Sequence, residues 1–299
     1  MSDQTNGTRG RMANNAVVTS VSVIMPCLDD THINETMDSL ARQQGTEFEV
    51  IVVVDPRGDD EISSRLQAWS DRLQLRIVTG DPGASAGGQR NRGAALSRGR
   101  ELLFIDADDV VAEGYISAMA AALESQEFVC SRQDVQKLNP WNPRGAIFGR
   151  ELNRSMGFLP FSGAGTLGIR RSLFERVGGF DPLLKCYEEA DLCWRLQLSG
   201  HNPPIFVASA VLHYRLQPDR TKRWRKAVVY GRTEALLYRR YRNMGMPREK
   251  MIAVVVAWFR LMSRWVSRLT GRPEPGLAYE TSLRIGRLQG SLRYRVAYL

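Results

Sequence analysis

Unbroken apolar runs and helical spacings alternate along the first half of the chain. Val21 to Met25, stopped by Pro26, reads as a strand buried on both faces, as do Val50 to Val54, Leu75 to Val78 and Leu102 to Ile105. Between them, Glu35 to Gln44, Asp59 to Leu73 and Gln89 to Arg98 carry helical patterns, the first ended by Gly45. Strands and helices alternating at this pace predict a doubly wound parallel sheet, whose ligands bind beyond the carboxyl ends of the strands. Asp55 and Asp106 fall at two such ends. From Phe128 the pieces shorten: Phe128 to Val135, Gly165 to Arg170, Ile205 to Ala208 and Val211 to Tyr214 look β-like. Residues 139–143 and 158–165 read as loops, and Glu188 to Leu198 as a helix closed by Gly200.

Two acidic clusters change the picture from architecture to chemistry. In Asp106-Ala107-Asp108-Asp109, the first and third residues point to the same side of an extended chain. Two carboxylates beside nucleotide phosphates make a typical magnesium or manganese site. The same run also suits a turn in which Asp108 or Asp109 caps a helix over Val110 to Glu113. In Glu188-Glu189-Ala190-Asp191, Glu188 and Asp191 share a helix face and Glu189 lies one step round. An acidic first turn that suits the helix dipole has the same appearance.

A chain of 299 residues can bury one large domain plus an appendage, and 43% apolar with 24% charged residues is ordinary for a soluble globular protein. Four cysteines without zinc spacing point to reduced thiols in a cytosolic protein. Residues 1–19 are a polar leader with no apolar signal core, and Met251 to Phe259 is far shorter than the ~20 residues of a spanning helix. The net charge of +9 is uneven: residues 219–299 hold 19 Lys and Arg against 5 Asp and Glu. That asymmetry points to a basic module with an anionic partner, or to solvated arginine-faced helices. Within it, Met251 to Leu269 places Arg260, Ser263, Arg264, Ser267 and Arg268 on one face and Leu261, Met262, Trp265, Val266 and Leu269 on the other. Ile285, Leu288, Leu292, Val296 and Leu299 repeat the stripe. The pattern suits helices lying in a membrane interface, or stripes packed on the first domain or a second subunit. Tyr238-Arg239-Arg240-Tyr241-Arg242 interleaves rings and charge as a nucleic-acid stacking site would, but no nucleic-acid fold signature accompanies it.

Five features in fixed order, Val21 to Pro26, Glu49 to Asp55, Arg90-Asn91-Arg92-Gly93, Asp106-Ala107-Asp108 and Glu188 to Leu192, together resemble the family 2 glycosyltransferases. Val177 to Asp181 and Leu212-His213-Tyr214 resemble that family as well. The resemblance covers residues 20–217 and implies a GT-A fold, split into a nucleotide-binding half (20–127) and an acceptor-binding half (128–217), followed by a basic helical extension (218–299). It implies an inverting transfer from a nucleoside-diphosphate sugar, a UDP-sugar foremost, to an acceptor hydroxyl on a lipid-linked or glycoconjugate precursor. The cofactor implied is Mn²⁺ or Mg²⁺, held by Asp106, Asp108 and His213. Donor contacts are implied at Pro26, Asp55, Arg90, Asp106, Ala107 and Asp108. The general base corresponds to Glu189, where Asp is usual in the family, with Glu188 and Asp191 as alternatives. Pro56-Arg57-Gly58 and Cys27-Leu28-Asp29 also depart from the family pattern. Acceptor choice would lie in residues 139–162. The rival readings are a sugar nucleotidyltransferase, disfavoured because Pro26-Cys27-Leu28-Asp29 replaces its Gly-rich loop, and a non-catalytic relative kept as a binding partner.

Overall fold

The computed structural model of the chain describes residues 20–28, 31–57, 61–142, 151–271, 274 and 276–299. The polar leader, Asp29, Gly58, Asp59 and residues 143–150 of the expected acceptor segment lie outside them. The first half runs β1 (Val21–Cys27), α1 (Ile33–Ala41), β2 (Phe48–Val54), α2 (Glu61–Gln67), β3 (Gln74–Thr79), α3 (Ala86–Leu96) and β4 (Glu101–Phe104). Then come β5 (Val110–Val111), α4 (Tyr115–Ser125), β6 (Phe128–Asp134), β7 (Leu167–Arg170), α5 (Arg171–Arg176), α6 (Glu188–Leu198) and β8 (Ile205–His213). Three helices close the chain: α7 (Arg220–Tyr241), α8 (Met251–Leu269) and α9 (Leu277–Tyr294).

The eight strands form one sheet in the order β3-β2-β1-β4-β7-β6-β8-β5. β3, β2, β1 and β4 are parallel neighbours, β7 is antiparallel to β4 and β6, β8 is parallel to β6, and β5 is antiparallel to β8. Alternate residues of the central strands feed two cores. Ile24, Leu102 and Phe104 join Phe161, Phe174, Phe180 and Trp194 on one side. Val23, Leu103 and Ile105 meet α1, α2 and α4 on the other. The sheet is therefore covered on both faces, as its unbroken apolar strands require.

Three local expectations are corrected. Pro26 does not stop β1, which runs to Cys27 against β2 alone, because β4 already ends opposite Ile24. A residue without an N–H is tolerated where one neighbour is missing. Neither Asp108 nor Asp109 caps a helix over 110–113: Val110 and Val111 pair with His213 and Leu212 as β5. Two β-branched residues beside an open strand edge satisfy that pairing. The pieces expected at 205–208 and 211–214 are one strand, with a register shift opposite Ser131 and Arg132.

The expected boundary at residue 217 is not a break in the packing. Ala235, Leu237 and Tyr241 of α7 sit in the same core as Trp194 and Phe161. α9 crosses α7 at backbone contact: a Cβ on Gly231 would lie 2.0 Å from the Leu283 carbonyl oxygen, and one on Gly286 2.2 Å from that of Val228. Only glycine permits this approach. No helix among the described residues is long and apolar enough to cross a membrane.

Candidate active site

The parallel strands deliver Asp55 and Asp106 to the same edge of the sheet, and α3 and α6 close over it. Ser85 caps α3 by accepting a bond from the Gly88 N–H. The first turn of α3 lies against α6, so a Cβ on Gly87 would stand 3.0 Å from Phe180 Cβ and 3.1 Å from Glu188 Cγ. Arg90, one helical turn on and only 3% exposed, then reaches across the cleft. Its Nη2 donates to Asp106 Oδ1 at 2.5 Å and its Nη1 to Glu188 Oε1 at 2.9 Å. Burial opposes its charge, but the two carboxylates outweigh it and hold the guanidinium firmly protonated. The resemblance implied a donor contact here. In the structure Arg90 is a strut that joins the Asp106 loop to the start of α6.

Glu189 keeps some solvent exposure, yet protein crowds its carboxyl. Burial pushes that group up to about 8, and the Glu188 carboxylate beside it adds to the shift. Such a group becomes able to accept a proton only as the pH rises towards about 8. Asp191 has a different fate. It is fully buried, takes Arg195 Nε at 2.7 Å and the Tyr241 hydroxyl at 2.7 Å, and is bonded to Arg240. Its Oδ1 anchors α6 to α7 and its Oδ2 is held by Arg195 of α6 itself, so neither is open to an acceptor hydroxyl.

Asp106 and Asp108 stand partly exposed at the end of β4, with Asp109 fully buried behind them. Burial pushes the Asp109 carboxyl well above its ordinary range, and the Asp106 and Asp108 charges reinforce this. Asp109 Oδ1 accepts the Arg215 N–H at 2.8 Å, while its Oδ2 is buried without a partner. Three carboxyls gathered at one strand end leave the place short of positive charge, and hard oxygen donors fit a divalent cation. His213 does not join them. Its register on β8 sets it beside Asp134 of β6, whose Oδ2 lies 2.7 Å from Nδ1, and Lys137 Nζ stands 3.3 Å from Nε2. Among the described residues no three His, Cys, Asp or Glu side chains are grouped to hold a metal. The residues do fit a cation shared between two carboxylates and the phosphates of a ligand.

Of the other expected donor contacts, Pro26 lies one residue before the end of β1, and the carbonyl of buried Ala107 accepts the Thr36 hydroxyl at 2.9 Å. Asp55 is bridged by Arg57, with Nε to Oδ1 at 2.9 Å and Nη2 to Oδ2 at 2.7 Å, which holds its carboxyl below the usual range. Sequence reasoning missed Tyr187, the residue before α6, whose φ of +60° is strained for a bulky side chain. Its hydroxyl donates to Glu234 of α7 at 2.9 Å, its ring meets Tyr230 at 4.8 Å, and Glu234 also receives Arg287 of α9 at 2.6 Å. The tail thus pins the entry to the acidic helix. Nothing local in the sequence marks Tyr187, whereas the four-residue spacing from Asp191 to Arg195 was a legible sign of an ion pair.

The pattern described as glycosyl transferase family 2 matches residues 22–178. The amylovoran biosynthesis glycosyltransferase AmsB of Erwinia amylovora is 33% identical over 216 residues, 66% of this chain and 70% of that one. Other curated relatives are matched over 18 to 61% of their own lengths. Among solved structures, Staphylococcus aureus TarS 1-349 with UDP-GlcNAc superposes with a TM-score of 0.54 at 20% identity, over 73% of this chain and 66% of that one. The mannosyltransferase PcManGT of Pyrobaculum calidifontis, in complex with GDP-Man and Mn²⁺, gives 0.61 at 15% identity, over 92% and 87%. With the family pattern covering more than half of its length, this chain belongs to glycosyltransferase family 2 and has the GT-A fold.

Proposed function

We propose that the protein is an inverting, divalent-metal-dependent transferase that moves a sugar from a nucleoside-diphosphate sugar, a UDP-sugar foremost, to an acceptor hydroxyl. One observation carries the reading: Arg90 ties Asp106 to Glu188 within a single cleft, so the metal-type carboxylates and Glu189 serve the same bound molecule. The nucleotide sugars held by the TarS and PcManGT structures, and the Mn²⁺ in the latter, support the donor class and the cofactor.

In this reading the donor lies along the strand ends, its base near Asp55 and its diphosphate near Asp106 and Asp108. Mn²⁺ or Mg²⁺ held by those two aspartates and the diphosphate would stabilise the negative charge of the departing nucleotide. Glu189 takes the proton of the acceptor hydroxyl as its oxygen attacks the anomeric carbon. The new C–O bond forms on the face opposite the breaking one, the bonding pair leaves with the diphosphate, and the configuration inverts. Tyr214 and Tyr230 stay neutral near these carboxylates, because burial, followed by the charges of Asp109 and Glu189 respectively, raises both phenols. The acceptor is the hydroxyl of a glycoconjugate or lipid-linked precursor. The test is a screen of UDP-, GDP- and dTDP-sugars with manganese, following nucleotide release. Release from one donor class that stops with chelator is expected; release from none of the donors, or release that chelator leaves unaffected, refutes the reading.

A further inference from the structure

The molecule's largest unexplained surface is α8. Of 21 large apolar side chains exposed among the described residues, nine fall between Met251 and Leu269. At 100° per residue they cover about half of the helix circumference, along a length of about 28 Å. Ile252 is 80% exposed, Phe259 67% and Leu269 85%. The rest of the helix is committed: Val254 and Leu261 are buried and Arg264 bonds Glu274 and Glu280 at 2.9 and 2.6 Å, while at the margin of the apolar face the Trp265 indole N–H donates to Thr281 at 3.0 Å. α8 is therefore fixed to α9 by one edge and presents the other outward. α9, in contrast, has spent its small-residue face on α7.

Exposed Arg260 borders this apolar face, exposed Arg248 and Lys250 stand at its N-terminal end, and exposed Arg268 lies in its last turn on the side of Arg264. The acids nearby are already engaged, Glu249 with Arg287 and Glu274 and Glu280 with Arg264. A second copy of the same face would bring cation against cation, so self-pairing is disfavoured. An apolar strip with a cationic rim matches the interface of an anionic lipid bilayer.

We propose that α8 is a membrane-docking helix that lies in the surface of an anionic bilayer. The docked helix is linked to the active site by named bonds: Arg264 and Trp265 to α9, Arg287 of α9 to Glu234, and Glu234 to Tyr187 at the start of α6. Docking thus orients the cleft relative to the bilayer. The binding claim does not depend on sugar transfer, and it fails separately from it.

The test is flotation of the full chain with vesicles of phosphatidylcholine alone and of phosphatidylcholine with phosphatidylglycerol, alongside light scattering. Binding to the anionic vesicles only is expected, with release at ~1 M salt, where the screening length falls to about 3 Å. The exposed-face variant Ile252→Ser/Phe259→Ser/Val266→Ser should lower the bound-to-free ratio by about tenfold or more while keeping its circular dichroism and its nucleotide binding. Lys250→Gln/Arg260→Gln/Arg268→Gln should lose the lipid selectivity. Absence of flotation overturns the proposal. So does equal binding by the serine variant, or a dimer that the serine variant dissociates.

Discussion

Replacing Arg90 with methionine tests whether the strut holds the site together. The substitution keeps the volume and removes the charge that serves Asp106 and Glu188 at 2.5 and 2.9 Å. Breaking a buried pair by deleting one partner costs about 3–5 kcal/mol, because the abandoned charge stays out of water. The Glu188 side chain is 8% exposed and bears the full penalty, whereas that of Asp106 is 31% exposed and recovers part of its hydration. The loss is therefore expected within that range and not at twice it, which for a chain of this size lowers Tm by roughly 6–20 °C. Arg90→Lys keeps one charge-assisted bond and should lose only about 1.5–3 kcal/mol. Urea denaturation followed by tryptophan fluorescence measures both. In the double variant Arg90→Met/Glu188→Gln the stranded carboxylate is neutralised, so its loss should be smaller than the sum of the single losses. Strict additivity, or an Arg90→Met protein within 1 kcal/mol of the parent on the scale of ordinary surface changes, refutes the strut.

Glu189 sets a pH dependence. Below about 8 its carboxyl holds a proton and cannot take another, so turnover should rise as pH approaches 8 and level off above it, with the limb moving down as Mn²⁺ is added. Because the folded-state value lies above the ordinary one, the favourable contribution of this group to stability is lost as pH rises through about 8, and Glu189→Gln should remove that loss. Asp108→Asn should abolish the metal-dependent part of nucleotide binding seen by calorimetry, while Asp109→Asn, at a carboxyl buried behind the pair, should leave it within a few-fold of the parent. A base that donates an N–H to Asp55 must displace Arg57, so Arg57→Ala should tighten uridine-nucleotide binding by up to about fivefold. Weaker binding would show that Arg57 contacts the base itself.

Much of this arrangement was legible before the structure. Four apolar runs flanked by helical patterns located β1 to β4 because burial on both faces leaves a continuous signal, and Glu188 to Leu198 matched α6 at both ends. The carboxylates at strand ends followed from topology alone. What stayed hidden depends on partners far away in the chain. The strand at Val110 exists only because β8 lies beside it, and the bond from Arg90, implied as a donor contact, to Glu188 joins residues 98 apart that no local pattern connects. His213 carries the right chemistry, but its register next to Asp134 directs it elsewhere. The tail patterned as amphipathic helices, and only the crossing of Gly231 with Gly286 separates the stripe that is spent from the one that is open.

The most direct single measurement compares Glu189→Gln with the parent protein, using one preparation of each for two readouts. Manganese-dependent binding of the donor nucleotide should be retained, since Glu189 lies across the cleft from the Asp106 loop. Transfer to an acceptor hydroxyl should fall by about 10²- to 10⁴-fold, the usual cost of losing a positioned base. Transfer at the parent rate by Glu189→Gln, with binding intact, would contradict the assignment of the base and with it the central claim.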